Sequence, residues 1–288
     1  MLITAAICTY NRYPQLSDAL ASLRGQSLPA RDYQILVVDN SPDRELARRF
    51  AADNAGSNCR FVGVDQPGLS RARNVAIAQS ETPYLAFLDD DALASADWLA
   101  RIVETFATVA DEVAAVGGPA DPIWEAPRPP WLHDDLLGYV GLLDWGPEPR
   151  AADENHWLIG TNVCYRRAAL ERVGGFRLDL GRRGELLVSN EELELQARLR
   201  AAGLRAWYSP EIRVRHRVPA ERLTRDWLRR RVFWQAISEA IENPPPGENT
   251  ARPSKWFSGE TNSPRRFAEE CRRLKRTLRR LTRGKRAA

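Results

Sequence analysis

Residues 84–92 read YLAFLDDDA, and this stretch decides the fold. Its first five residues are apolar or aromatic, and a continuous run of this length is typical of a strand buried on both faces of a parallel sheet. Asp89, Asp90 and Asp91 follow at the carboxyl end of that strand, where open α/β sheets bind ligands. Three adjacent carboxylates repel one another unless a cation or hydrogen-bond donors offset their charge. The stretch therefore predicts either a Mg²⁺ or Mn²⁺ site that also takes a ligand's phosphates, or a solvated acidic turn.

Strand and helix signals alternate through the first third of the chain. Strands are predicted over residues 2–8, 33–38 and 59–64 and helices over 16–24, 41–54 and 69–79. This alternation implies an α/β protein with a doubly wound, mostly parallel sheet flanked by helices. Ser41 is predicted to cap the second helix, with Pro42 at its first position. Because parallel strands end at one sheet edge, we expect Thr9, Asp39 and Asp89 to converge.

Residues 119–149 are rich in proline and tryptophan and show no periodicity, so we predict a long loop. A loop of this length inside a compact domain is usually functional. Its aromatic rings either face a sugar or other flat apolar surface or form a small core beneath the loop. These rings belong to Trp124, Trp131, Tyr139 and Trp145.

The remaining elements follow the same kinds of signal. Strands are predicted over residues 113–116, 157–165, 205–208 and 212–216, and helices over 95–110, 168–173, 189–202 and 222–241. In the strand at 212–216, Ile212, Val214 and His216 share one face because side chains alternate along a strand.

Positive charge is concentrated at the end of the chain. The net charge is +4, but residues 265–288 hold eleven Lys or Arg against two Glu, so the first 264 residues are net negative. After a predicted linker at 244–264, residues 265–288 form a basic amphipathic helix by pattern. Such a helix suits docking to an anionic membrane surface, with a coiled coil or packing within the chain as the alternative. No nucleic-acid partner is expected.

Cysteine usage and hydropathy bear on localisation. The four cysteines form no CxxC pair and fit free thiols in a reducing compartment. No stretch has the pattern of a signal peptide or a membrane span. We expect a cytoplasmic protein, with peripheral attachment at the inner face of the membrane as the alternative.

Phosphate-binding loops of two common kinds are missing. No GxGxxG follows the first strand and no GxxxxGK[ST] occurs, so phosphate binding falls to a metal and to side chains. GLSRARN at residues 68–74 puts Arg71 and Arg73 at a loop-to-helix junction. Guanidinium groups there either bind a diphosphate or form an exposed basic turn.

Two further positions have a structural and a functional interpretation. Ser189 and Glu192 have the spacing of a capping box at the start of a helix. The residues alone favour this structural role for Glu192. The alternative makes Glu192 a general base beside the site. His216 is by pattern a core or surface histidine, and a metal ligand in the alternative.

Six motifs together resemble family 2 glycosyltransferases in order and spacing, over about residues 2–218. They are TYNR (9–12), VVDNS (37–41), GLSRARN (68–74), FLDDDA (87–92), GTNVCYRRAALERVGGF (160–176) and NEELELQARLRAAG (190–203), with VRH (214–216) after the last. The resemblance implies the GT-A fold and inverting sugar transfer from a nucleotide diphosphate sugar, in polysaccharide or glycolipid biosynthesis. It also implies a glycosyltransferase domain over 1–218, with a nucleotide-sugar half (1–118) and an acceptor half (119–218), and a helical extension over 219–243.

The resemblance assigns residues to the nucleotide. Thr9 and Tyr10 match the pocket after the first strand. Asp39 lies where the family contacts a pyrimidine base, which favours a UDP- or dTDP-sugar. Arg71 and Asn74 match the loop that lines the nucleotide.

The resemblance also implies a Mn²⁺ or Mg²⁺ site. Asp91 matches the direct ligand of the DxD pair, and Asp89 lies on the ribose or metal side. Asp90, between them, belongs to the cofactor side, and His216 resembles the histidine that can complete the metal site.

On the acceptor side, Gly160, Thr161 and Asn162 match a GxN segment. Glu191 and Glu192 occupy the family's Glu-Asp position, which implies Glu192 as the catalytic base. Glutamate there is a departure from the usual aspartate and is one methylene longer. We add Trp131 as an acceptor contact, and we expect a saccharide or lipid-linked acceptor.

Two other functions are considered. A sugar-1-phosphate nucleotidyltransferase also uses an α/β sheet with Mg²⁺, but its glycine-rich basic loop is missing after residues 2–8. A non-catalytic membrane-associated binding protein would act through the basic tail.

Overall fold

The computed structural model describes residues 1–153, 155–184 and 186–242. The predicted linker at 244–264 and basic helix at 265–288 lie outside the described residues.

The regular elements alternate along the chain much as the sequence predicts. The strands are β1 (Ile3–Thr9), β2 (Tyr33–Asp39), β3 (Cys59–Gly63), β4 (Tyr84–Asp89), β5 (Ala92–Ala94), β6 (Val113–Gly117), β7 (Ala120–Trp124), β8 (Arg150–Ala151), β9 (Asn162–Arg166), β10 (Arg205–Tyr208) and β11 (Val214–Val218). The α-helices are α1 (Tyr13–Arg24), α2 (Arg44–Asn54), α3 (Leu69–Gln79), α4 (Trp98–Thr108), α5 (Arg167–Val173), α6 (Glu191–Ala201) and α7 (Arg225–Glu242). Two 3₁₀ helices span Asp134–Val140 and Ala220–Leu223.

A mostly parallel sheet forms the centre, which confirms the predicted fold class. Eight strands lie in the order β3-β2-β1-β4-β9-β6-β10-β8. The first four pair in parallel, as expected for strands joined by helical crossovers. Strand β9 runs antiparallel to both β4 and β6. The sheet is therefore mixed at its centre, which the alternation of elements did not reveal.

Helices pack on both faces of this sheet. Along β1, Ile3, Ala5 and Ile7 lie in one core with α1 and α4. Ala6 belongs to the opposite core, which contains residues of α3, α5 and α6. This alternation is the period-two pattern of a strand buried on both sides. Each fully buried aliphatic side chain contributes about 1.5–3 kcal/mol to folding.

A smaller sheet brings the end of the domain back to the acidic residues. Its order is β5-β11-β7, with β11 antiparallel to β5 and parallel to β7. His216 of β11 lies opposite Ala92, one residue after the acidic triplet. The pairing therefore fixes where His216 meets the site.

The predicted cap of α2 is wrong. The N-cap is Asp43, whose carboxylate accepts a hydrogen bond from the Leu46 amide at 2.9 Å. Ser41 does not cap the helix because its hydroxyl accepts from the Asn11 amide at 2.8 Å and its own amide donates to Asp39.

The proline- and tryptophan-rich segment contains more regular structure than predicted. Strand β7 and a 3₁₀ helix lie within residues 119–149. Apolar side chains of the segment form a third core with the start of α7. The predicted strand at 157–165 begins only at Asn162. In the described residues, no helix combines the length and the apolar character that crossing a bilayer requires.

Candidate active site

A cavity of about 1500 Å³ opens where β1 and β4 end, the position at which open α/β sheets bind ligands. Ten of the predicted site residues line it: Thr9, Tyr10, Asp89, Asp90, Asp91, Gly160, Thr161, Glu191, Glu192 and His216. Five do not: Asp39, Arg71, Asn74, Trp131 and Asn162.

The acidic triplet is not a solvated turn, because Asp90 and Asp91 are each 5% exposed. Arginine and hydroxyl donors offset their charge. Nη1 of Arg12 lies 3.2 Å from Oδ1 of Asp90 and 2.7 Å from Oδ2 of Asp91. The Thr9 hydroxyl donates to Asp90 at 2.8 Å, and Arg222 lies 3.4 Å from Asp91. Neither Arg12 nor Arg222 is among the residues predicted from the sequence to lie in the site, although Arg12 belongs to the TYNR motif.

The pKa values of the two buried carboxylates, Asp90 and Asp91, are shifted in opposite directions. Burial and the charge of Asp91 raise the pKa of Asp90 to about 7. Burial alone would raise the pKa of Asp91, but His216, Arg12 and Arg222 hold it well below its ordinary value. Asp91 is therefore ionised at neutral pH, whereas neutral pH lies near the pKa of Asp90.

Asp89, Asp91 and His216 form a group that fits a divalent cation. One ligand atom from each lies within 4.8 Å of the others, and Nε2 of His216 is 3.1 Å from Oδ1 of Asp91. Two carboxylates with one imidazole are ligands that a divalent cation accepts. The ring of His216 packs against Gly141, where a Cβ would lie 2.6 Å from Cε1.

Arg73 joins the acidic triplet to the start of α6. Its side chain is 3% exposed, and Nη1 lies 2.8 Å from Oε1 of Glu191. Nη2 lies 3.4 Å from Oδ1 of Asp89 and donates to the Gly160 carbonyl at 3.1 Å. A Cβ on Gly160 would lie 2.8 Å from Nη2, so this close approach requires glycine. Of the two arginines in GLSRARN, Arg73 and not Arg71 lies in the site.

Glu192 faces the cavity without the capping role that its spacing suggests. Helix α6 begins at Glu191, and its N-cap is Asn190, at a left-handed φ of 75°. Ser189 instead accepts a hydrogen bond from Arg231 of α7 at 3.0 Å. Oε2 of Glu192 is buried and has no hydrogen-bond partner in the described part of the chain. Burial and the neighbouring charge of Glu191 raise the pKa of Glu192 to about 7.

Two residues assigned to the nucleotide have their polar groups occupied by the protein. The Asp39 carboxylate accepts from the Tyr13 hydroxyl at 2.9 Å and from the Ser41 amide at 2.8 Å. The Asn74 amide group binds both backbone groups of Phe176, at 2.8 and 2.7 Å. Asn74 thus ties α3 to the segment after α5.

In the segment 160–162, which was assigned to the acceptor, two residues line the cavity and the third supports the fold. Gly160 and Thr161 line the cavity, and the Thr161 hydroxyl is buried without a partner among the described residues. Asn162 is fully buried. Its side chain accepts from the Trp98 indole at 2.8 Å and donates to the carbonyls of Pro119 and Ile212 at 2.9 and 2.7 Å. Every polar atom of this side chain therefore holds the fold together.

The aromatic rings of the long segment also separate into two groups. Trp131 is 8% exposed and packs into the third core, so its ring has no face to offer an acceptor. Trp124, Tyr139 and Trp145 line the cavity. The core interpretation is therefore right for Trp131, and the prediction of Trp131 as an acceptor contact is not supported.

Comparison with known proteins identifies the family. Residues 4–174 match the model described as "Glycosyl transferase family 2". The chain is 32% identical to the succinoglycan biosynthesis protein ExoM of Rhizobium meliloti over 237 residues, which is 80% of this chain and 72% of that protein. It is 28% identical to the glucosyl-dolichyl phosphate glucuronosyltransferase of Haloferax volcanii, over 84% of this chain and 77% of that protein.

A solved structure shows the same fold. The mannosyltransferase PcManGT from Pyrobaculum calidifontis, in complex with GDP-Man and Mn²⁺, superposes with a TM-score of 0.61 at 20% identity. The match covers 96% of this chain and 72% of that chain. Together with the matching family model, this shows that the chain belongs to the family 2 glycosyltransferases and is a glycosyltransferase of the GT-A fold.

Proposed function

We propose that the protein is a metal-dependent, inverting glycosyltransferase that moves a sugar from a nucleoside diphosphate sugar to a hydroxyl group of an acceptor. The observation that carries this proposal is the buried, unpartnered carboxylate oxygen of Glu192 in the same cavity as Asp89, Asp91 and His216. A base and a cation site that share one cavity are what such a transfer requires.

Asp89, Asp91 and His216 would hold the cation. Bound there, Mn²⁺ would neutralise the charge that develops on the departing diphosphate. Thr9 and Tyr10 line the same end of the cavity and would contact the nucleotide. Asp39 favours a UDP- or dTDP-sugar only through the family pattern. The structural relative bound to GDP-Man makes a guanosine donor a second candidate.

Glu192 would act as the general base. It takes the proton of the acceptor hydroxyl while that oxygen attacks the anomeric carbon from the face opposite the diphosphate. The bond from the anomeric carbon to the diphosphate breaks as the new glycosidic bond forms, so the configuration inverts. A single displacement requires no covalent nucleophile. Arg73 positions the base by binding the neighbouring Glu191.

Family membership sets aside the nucleotidyltransferase and non-catalytic alternatives. We propose polysaccharide or glycolipid biosynthesis as the setting, because relatives are named for succinoglycan biosynthesis and for transfer to a dolichyl phosphate glucoside. Attachment to a membrane through residues 265–288 stays a prediction.

The experiment that tests the proposal is calorimetric titration with UDP-, dTDP- and GDP-sugars in Mn²⁺ and in Mg²⁺. We expect tight binding of one nucleotide that disappears when a chelator is added. Binding that is unchanged by the chelator would contradict the metal dependence. Absence of binding to every donor would contradict the function.

A further inference from the structure

Four arginines line the cavity from segments beyond residues 4–174, the part that matches the family model. Arg200 of α6 is exposed, and the other three interact through their charges. Arg182 lies between α5 and α6, Arg222 lies in the second 3₁₀ helix, and Arg231 lies in α7. All three line the cavity already described. We call them the arginine cluster.

Two members of the arginine cluster lack the carboxylate partners that the other site arginines have. Arg12 is paired with Asp90 and Asp91, and Arg73 with Glu191 and Asp89. In the described residues, neither Arg182 nor Arg231 forms an ion pair with a carboxylate. Neither guanidinium group is therefore neutralised by direct contact with a carboxylate of the described residues.

Arg231 has buried donors that the described residues leave unused. It is 7% exposed, yet Nε and Nη1 are buried without a partner among the described residues. Only Nη2 is used, in bonds to Ser189 Oγ at 3.0 Å and Gln235 Oε1 at 2.9 Å. The guanidinium also lies 5.9 Å from the ring centre of Tyr139. A buried cation with unused donors is costly unless a ligand supplies an anion.

The charges of the arginine cluster also repel one another. Burial, with the charges of Arg231 and Arg222, lowers the pKa of Arg182 to about 10. An anion bound beside these guanidinium groups would relieve both the burial cost and this repulsion.

We propose that the arginine cluster binds a phosphate group carried by the acceptor, a site that deepens the proposed function and rests on it. A tetrahedral phosphate presents several oxygens to guanidinium groups that line one cavity from different elements.

The surroundings of Arg231 favour the acceptor over the donor as the source of this phosphate. Arg231 binds Ser189, two residues before the helix that starts with Glu191 and Glu192. Tyr139, which it contacts, belongs to the predicted acceptor half. The arginine cluster is thus tied to the base that deprotonates the acceptor, and only Arg222 reaches the predicted cation site.

The test is calorimetric titration of the full chain with glucose 6-phosphate and with farnesyl phosphate. These probes carry the same group on a soluble and on a lipid scaffold, so their comparison separates the two kinds of acceptor. Each titration is run alone and with Mn²⁺ and saturating nucleoside diphosphate. We expect one of the probes to bind in both conditions.

Variants locate the site. Arg231→Gln should weaken probe binding about tenfold or more, because a hydrogen bond to a charged group is lost from a buried position. Arg182→Gln should have a similar effect, and it serves as a second variant because the Arg182 side chain forms no ion pair with a carboxylate in the described part of the chain. Arg230→Gln is the matched control, since Arg230 is the exposed neighbour of Arg231 on α7.

Three outcomes would overturn the proposal. In the first, neither probe binds. In the second, Arg231→Gln and Arg182→Gln bind the probe as tightly as the wild type does. In the third, saturating nucleoside diphosphate abolishes probe binding, and Arg231→Gln weakens binding of the nucleotide instead. The last result would assign the arginine cluster to the donor diphosphate. Failure of the proposed function would look different, because the wild type would then bind no nucleoside diphosphate at all.

Discussion

His216 stands beside Asp91 because β11 pairs antiparallel with β5. His216 lies opposite Ala92 in that pairing, and the amide of Arg217 donates to the Asp91 carbonyl at 3.0 Å. The backbone register therefore sets Nε2 of His216 3.1 Å from Oδ1 of Asp91. Residues from two distant parts of the chain thus form one candidate metal site next to paired strands, and strand pairing fixes side-chain positions better than a loop would.

Asp91→Asn should lower the affinity for Mn²⁺ at least tenfold, because the variant loses a charged ligand while keeping its shape. Isothermal titration with Mn²⁺ measures this affinity. Asp53→Asn, on the exposed surface of α2, is the control and should bind Mn²⁺ like the wild type. Equal affinity in the two variants would contradict the metal assignment.

Gly141→Ala should weaken Mn²⁺ binding and lower the free energy of unfolding. The new Cβ would lie 2.6 Å from Cε1 of His216, at a φ of +87°. The left-handed backbone alone costs about 1–2 kcal/mol. Gly146 has a φ of +92° with no atom within 4 Å of an added Cβ, so Gly146→Ala separates the backbone cost from displacement of the ring. A similar loss of Mn²⁺ affinity in both variants would rule out the contact with His216 as the cause.

Asn162→Ala should lower the free energy of unfolding by about 2–4 kcal/mol, because it removes a buried amide and leaves its three partners unsatisfied. Those partners are the Trp98 indole and the carbonyls of Pro119 and Ile212. Urea denaturation measures the change. An acceptor-binding role alone would leave the stability unchanged and raise the KM for the acceptor.

The rate of transfer should rise with pH through about 7. The base must be deprotonated, and burial with the charge of Glu191 raises the pKa of Glu192 to that value. Protonated Glu192 predominates below this pKa and ionised Glu192 above it. A pH–rate profile between about 5 and 9 tests this. Glu191→Gln removes the repelling charge and should move the rising limb to lower pH. A profile that is flat across this range would contradict the assignment.

The sequence predicted the sheet and the acidic site well, because both depend on local pattern. The apolar run at 84–88 ends in carboxylates at the edge where a parallel sheet binds ligands, and β4 spans Tyr84–Asp89. The antiparallel β9 at the centre of the sheet could not be predicted, since strand direction depends on long-range pairing. The cap of α2 was wrong because Ser41 is already bonded to the Asn11 turn.

Site residues whose position depends on packing between different helices and loops were harder to predict. Arg73 and Arg71 look equivalent in GLSRARN, and only the rotation of α3 brings Arg73 to Glu191 and Asp89. Arg222 and Arg231 lie in a basic helical stretch that resembles a solvated face by composition. Their role in the cavity depends on how α7 packs against the segment before α6. Trp131 resembled a sugar platform because burial of a single ring within a loop leaves no local pattern.

The most direct test of the proposed mechanism is Glu192→Gln, with donor affinity and transfer rate measured on the same preparation. The amide keeps the shape of the side chain but cannot accept the acceptor's proton. We predict donor affinity within about twofold of the wild type and a transfer rate lower by a factor of about 10²–10⁴. A transfer rate equal to that of the wild type would contradict the assignment of Glu192 as the base, and with it the proposed mechanism.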